Sequence, residues 1–115
     1  MERKSQVIAV AVQENGDIYR FWGRAPKVAV ASVQDGAIID WKEYPVQWDI
    51  AREETTEGLH HAQIAKWIME HHVTGVVAVG LGDDMERMLR KIGLDIYLGF
   101  NGKARDAVKQ IAVKS

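Results

Sequence analysis

Gly75-Val76-Val77-Ala78-Val79-Gly80-Leu81-Gly82-Asp83-Asp84-Met85-Glu86-Arg87-Met88-Leu89 is the stretch whose reading decides the fold. Val76 to Val79 form an unbroken apolar run, which suits a strand buried on both faces of a mostly parallel sheet. Gly80 and Gly82 then permit a turn without a Cβ penalty. Asp83 or Asp84 is placed to cap a helix, where a carboxylate also meets the positive end of the helix dipole. A strand, a glycine turn and a helix N-terminus in succession define a place at which α/β proteins bind ligands. The other segments are therefore read by whether they reach the same edge of the sheet.

Upstream, the valine-rich run Gln6 to Gln13 reads as a first buried strand and Glu14-Asn15-Gly16-Asp17 as a turn. Pro26 forces its predecessor to be extended and marks the entry to a second strand, Lys27 to Gln34. Asp35-Gly36 is a hairpin signal, so the third strand, Ala37 to Tyr44, is expected antiparallel to the second. In it Ile39 and Trp41 alternate with Asp40 and Lys42, the pattern of a charged edge strand. Val46 to Gly58 reads as a long polar connection, with Thr55 or Thr56 capping a helix from Leu59 to His72. That helix is expected to turn Ala62, Ala65, Ile68 and Met69 to the sheet.

Downstream, Met85, Met88, Leu89 and Ile92 share one helical face, Glu86 and Arg90 are spaced for an ion pair, and Gly93 is the expected stop. Asp95 to Gly99 reads as a fifth strand. Asn101-Gly102 then turns into a last helix burying Ala104, Ala107, Val108 and Ile111. The predicted architecture is a three-layer α/β/α domain over residues 1–115. It has a five-stranded mixed sheet, only strand two antiparallel, and three helices on both faces, because crossovers between parallel strands are right-handed. The carboxyl ends of strands one, three, four and five then meet at one edge. Asn15-Gly16, Phe21 to Pro26, the Trp48 loop, the start of the first helix, Gly80 to Asp84 and Asn101-Gly102 gather there.

Composition narrows the function. A net charge of −1 gives no electrostatic footprint for nucleic acid. The absence of cysteine removes disulfides and thiolate-held metal centres. Met1-Glu2-Arg3-Lys4 followed by Val7 to Val12 has the outline of a signal peptide, but the apolar run is too short and polar residues occupy the cleavage region. No stretch has membrane-spanning length. The expectation is a cytoplasmic protein, monomeric or weakly homo-oligomeric.

The histidines pair as His60-His61 and His71-His72. Eleven residues separate His61 from His72, roughly 16 Å along a helix axis, so they share no ion. His71 and His72 fall at the helix end far from the site edge and read as structural. His60 and His61 lie at the loop-rich edge, and helical phase turns His61 inward, as a buried histidine or a ligand. Gly80-Leu81-Gly82 lacks the third glycine of a dinucleotide fingerprint, Met85 standing in its place. It reads as a tight turn or as a ligand loop. In Phe21-Trp22-Gly23-Arg24 the arginine can hold an anion against an apolar wall, or the rings can plug one end of the sheet.

Gly23-Arg24-Ala25-Pro26, a strand, Asp35-Gly36, a strand, a helix, Val76-Val77-Ala78-Val79-Gly80-Leu81-Gly82 and Leu89-Arg90-Lys91-Ile92-Gly93-Leu94-Asp95-Ile96-Tyr97-Leu98-Gly99 follow in that order. The chain thereby resembles the dinitrogenase iron-molybdenum cofactor biosynthesis family, as a small stand-alone member, from about Gln6 to Val113. The resemblance implies a ribonuclease-H-like fold. It also implies a non-enzymatic role binding or carrying an iron–sulfur cofactor of the iron–molybdenum type, or its precursor, among cofactor-biosynthesis proteins. The family's loop is His-Phe-Gly-Arg-Ala, whereas this chain has Phe21-Trp22-Gly23-Arg24-Ala25, so the loop histidine is missing. The expected cofactor-binding residues are Phe21, Trp22, Gly23, Arg24, His60, His61, Gly80 and Gly82; with no cysteine, direct ligation would fall to His60 or His61, if it occurs at all, and His61 is taken as the metal ligand. Otherwise an anionic cluster would be held by Arg24 and backbone amides, or no cofactor is bound.

Two other functions compete. A metal-dependent nuclease would need converging carboxylates, including one on the first strand, and Gln6 to Gln13 has none. A regulatory module could instead bind a protein partner or small anion at the same edge, with Trp22 and Trp48 as exposed anchors.

Overall fold

The computed structural model describes residues 5–114. Met1 to Lys4, on which the signal-peptide outline began, and Ser115 lie outside them. The strands are β1 (Ser5–Ala11), β2 (Val28–Gln34), β3 (Ala37–Tyr44), β4 (Gly75–Val77) and β5 (Asp95–Tyr97), in the spatial order β3-β2-β1-β4-β5. β2 is antiparallel to β1 and β3, and β1, β4 and β5 run parallel. Only β2 is reversed, as its flanking turns require.

The hairpin turn carries φ 51° at Asp35 and 84° at Gly36, the positive pair that a two-residue turn needs to match strand twist. A register shift between Ser32 and Val33 interrupts β2–β3 pairing, with Ile38 and Asp40 opposite those two residues. This bulge corrects the expected alternation. Ile38 and Trp41 pack on the sheet, while Ile39 is 62% exposed, because one extra residue flips the face of everything beyond it.

The described residues hold four α-helices, where three were expected: α1 (Trp48–Glu54), α2 (Glu57–Glu70), α3 (Asp83–Lys91) and α4 (Ala104–Lys114). The additional one, α1, lies in the span read as a polar connection. Its entry is set by tertiary contacts rather than by a capping side chain. Gln47 takes a left-handed φ of 55°, its N–H donates to Pro26 O, and the Trp48 N–H donates to Ala25 O.

Two apolar layers result. Ile8 and Val10 of β1, and Val12 just beyond it, face α4 and its Ala104, Ala107, Val108 and Ile111. Ala9 and Ala11 face Trp48, Ile64, Ile68, Met85 and Leu89 on the other side, as period-two alternation dictates. The stripe of α2 is His60, Ile64 and Ile68, with Trp67 half-buried beside it. This corrects the expected phase, in which Ala62 and Met69 faced inward, because both are exposed. Gly75 allows β4 to pack closely, since a Cβ there would lie 3.0 Å from Ile8 Cδ1 and 3.1 Å from Tyr97 Cε2.

Candidate functional site

At the carboxyl edge of the parallel strands, on the face carrying α1 to α3, lies a cavity of about 520 Å³. A 3-10 turn at Trp22–Arg24 forms one wall and the first turns of α2 another. The β4–α3 connection and the start of α3 complete it. All eight residues singled out in the sequence line it: Phe21, Trp22, Gly23, Arg24, His60, His61, Gly80 and Gly82. Their convergence follows from topology, because the loops after β4 and before β2 share an edge with the N-terminus of α2. The other loops expected there close on one another instead. Lys103 pairs with Asp17 at 3.2 Å and donates to Asn15 O, and Ile18 N donates to Gly102 O.

Thr56 caps α2, its hydroxyl accepting from Leu59 N at 3.3 Å. That fixes the helix start and delivers His60 and His61 to the wall. The inward histidine is His60, only 1% exposed, whereas His61 is half-buried, so the expected phase is corrected by one residue. His60 Nε2 lies 2.6 Å from Gly23 O. A carbonyl only accepts, so Nε2–H is the donor and clamps α2 to the 3-10 turn.

Asp83 and Asp84 do not cap α3. Gly82 occupies the cap with φ −65° and no side-chain bond, and the two carboxylates fall in the first turn. Neither Gly80 nor Gly82 has positive φ, and a Cβ on either would meet nothing within 4 Å. The turn therefore does not require glycine for conformation or packing. What their lack of side chains does is leave the cavity wall bare at the backbone.

Trp22 and Trp48 are 2% and 5% exposed, with ring centroids 5.3 Å apart at 69°, and Trp48 stacks edge-on against Trp67. They belong to the core, which removes them as exposed protein-binding anchors. Phe21 is the exposed aromatic of the loop, at 57%, with Arg20 over its ring at 5.7 Å.

Sequence reasoning missed Glu57, Met85 and Arg87 as lining residues. Arg87 had a legible signal, its i,i+3 spacing from Asp84, to which it pairs at 3.2 Å. Arg20, Arg24 and Arg87 share the lining with Glu57, Asp83 and Asp84, three cations with three carboxylates. Arg24 makes no ion pair among the described residues and is exposed. Among the described residues no group of three or more histidine, aspartate or glutamate side chains gathers into a metal-holding set.

Fold and site together define a three-layer α/β protein with a cavity at the carboxyl edge of its sheet. The chain belongs to the dinitrogenase iron-molybdenum cofactor family, whose profile matches residues 4–114. Membership associates it with that cofactor. Two solved structures share the fold. PH0822 superimposes with a TM-score of 0.76 at 14% identity, over 95% of this chain and 90% of that one. A Methanocaldococcus jannaschii protein provisionally named a dinitrogenase gives 0.67 at 10% identity, over 95% and 89%. At these identities the likeness shows fold alone. A search of curated proteins finds no match. No described helix is long and apolar enough to cross a membrane.

Proposed function

We propose that this protein is a non-enzymatic binding or carrier domain for an iron–sulfur cofactor of the iron–molybdenum type, or its precursor, exchanged with cofactor-biosynthesis proteins in the cytoplasm. The observation that carries this reading is the cavity, which brings an unpaired Arg24, two histidines and the bare backbone at Gly80 and Gly82 onto one concave surface. The uncapped start of α3 adds amide donors and the positive end of a helix dipole.

The donor set suits an anionic metal–sulfur group better than a bare cation. With no cysteine and no three-ligand cluster, a free metal ion would lack the ligands it needs. A preformed cluster brings its own sulfide bridges and asks the protein only for charge, amide donors and an occasional nitrogen. Because cations and carboxylates balance in the lining, capture depends on placement rather than on excess charge.

Anaerobic incubation with an iron–sulfur cofactor donor, followed by gel filtration and analysis of iron, molybdenum and sulfide, tests the reading. Stoichiometric retention by the native chain, reduced in Arg24→Ala, is expected. Absence of retention would overturn it.

A further inference from the structure

The sheet ends in two edge strands, β3 and β5, and an edge presents N–H and C=O groups to which another strand can pair. β5 is protected by its length of three residues. β3 runs for eight, Ala37–Tyr44, and carries the exposed Ile39. Its charged side chains are Asp40, Lys42 and Glu43. Glu43 is engaged, since Lys27 pairs with it at 3.4 Å and the Trp41 indole donates to it. Asp40 and Lys42 are exposed and make no ion pair among the described residues. Two residues apart, they stand on one face of the strand with opposite signs.

Opposite charges at that spacing are complementary to themselves. When two copies of one strand pair antiparallel about a two-fold axis, the residue one place before the axis in each copy faces the residue one place after it in the other, and opposed side chains share a face. With the axis at Trp41, Asp40 of each copy faces Lys42 of the other. An axis at Asp40, Lys42 or Glu43 sets that residue against its own copy, and like charges directly opposite are destabilising. An axis at Ile39 falls on the bulge. We propose that β3 is a homodimerisation edge: two copies of this chain join β3 to β3 antiparallel about a two-fold axis at Trp41, held by main-chain hydrogen bonds and by two Asp40–Lys42 pairs. Dimerisation at this edge is independent of what the cavity holds.

The strand is regular where the contact is centred. Asp40 to Tyr44 pair with Ser32 to Val28 without interruption, and the bulge lies on the hairpin side of Asp40. Trp41, at the axis, is already fixed by its bond to Glu43 and by Arg105, whose guanidinium carbon lies 4.6 Å from the ring centre. A side chain held in place beforehand costs less to order on association. The join makes one continuous sheet of the two, with the same surface patch contributed by each copy. No residue of β3 lines the cavity. A two-fold axis normal to the sheet places the two cavities on the same face at opposite ends, so each copy keeps its own open site.

Sedimentation equilibrium of the purified chain, from about 1 μM to about 1 mM, reads the association directly. A concentration-dependent monomer–dimer equilibrium is expected. Asp40→Lys and Lys42→Asp alter exposed side chains and keep the fold, which circular dichroism checks. Each should weaken the dimer at least about tenfold, because each sets like charges opposite one another twice. An equimolar mixture of the two variants should restore association, since their charges match in the same register. Register is read separately by cysteine. The native chain has none, so Asp40→Cys and Lys42→Cys each introduce a single thiol. Mixed and exposed to a mild oxidant, the two should form a disulfide-linked heterodimer. Neither should crosslink to itself, because a two-residue offset exceeds the reach of a disulfide. A chain monomeric throughout, its β3 edge left open or taken by a strand of another protein, would overturn the proposal. So would a dimer that the charge variants leave intact, or a mixture that does not recover it.

Discussion

Alanine at Gly75 and alanine at Gly80 should move stability in opposite directions, although the two glycines flank the same strand and turn. At Gly75 the new Cβ would lie 3.0 Å from Ile8 Cδ1, 3.1 Å from Tyr97 Cε2 and 3.4 Å from Asp95 O. Ile8 is fully buried and the carbonyl is part of the β4–β5 ladder, so neither yields freely. Overpacking of this kind costs about 1–3 kcal/mol, of which about 0.5–1 kcal/mol is returned by removing a glycine from a strand. The net expectation is a loss of about 1 kcal/mol. At Gly80 φ is not positive and the Cβ position is open. Alanine should therefore gain about 0.4–1 kcal/mol by restricting the unfolded chain. Urea unfolding followed by tryptophan fluorescence reads both as midpoint shifts at constant slope. The same Gly80→Ala chain should retain less cofactor, because its methyl covers backbone that the ligand needs. A Gly75→Ala chain as stable as the native one, or a Gly80→Ala chain that loses stability, would refute the reasoning.

Three further outcomes are expected. His72 sits in the left-handed region at φ 56° after α2, with its N–H on Met69 O and Val73 N on Ile68 O. His72→Gly should thus raise stability by about 0.5–1 kcal/mol, seen as a higher melting temperature. Trp48→Ala should cost about 3–5 kcal/mol in urea unfolding, because the ring is buried against Trp22 and Trp67. A surface anchor would cost little. The Trp41 indole N–H, donating at 3.0 Å, and the Lys27 ammonium hold the Glu43 carboxyl below its usual range. A depressed carboxyl favours the folded state above its unfolded pKa, and that contribution is lost as pH falls through the folded one. Glu43→Gln should accordingly flatten the acid limb of the stability–pH curve.

Local signals were the legible ones. Asp35-Gly36, the Thr56 cap and the Glu86–Arg90 pair at 2.9 Å each depend on a few adjacent residues. Gly93 likewise closes α3, with Gly93 N on Arg90 O and Leu94 N on Leu89 O. The strand directions followed from these turns and from crossover handedness. What sequence could not supply was decided at a distance. α1 has no capping side chain and owes its place to Trp48 and to backbone bonds with the segment before β2. The phase of α2 is not fixed by composition, because alanine and methionine suit either face. Trp67 and His60 settle it by meeting aromatic and carbonyl partners elsewhere in the chain. Ile39 was placed on the wrong face because a bulge leaves no mark in a single strand. For the site, topology alone sufficed to bring Arg24, His60, His61 and the two glycines together.

The most direct test of the account is an amide NMR titration of the 15N-labelled chain with an iron–sulfur cofactor donor under anaerobic conditions. Shifts and paramagnetic broadening should be confined to Phe21 to Arg24, His60, His61 and Gly80 to Met85. Broadening centred instead on the α4 face, or a spectrum that does not change, would contradict the assignment of the cavity as the binding site.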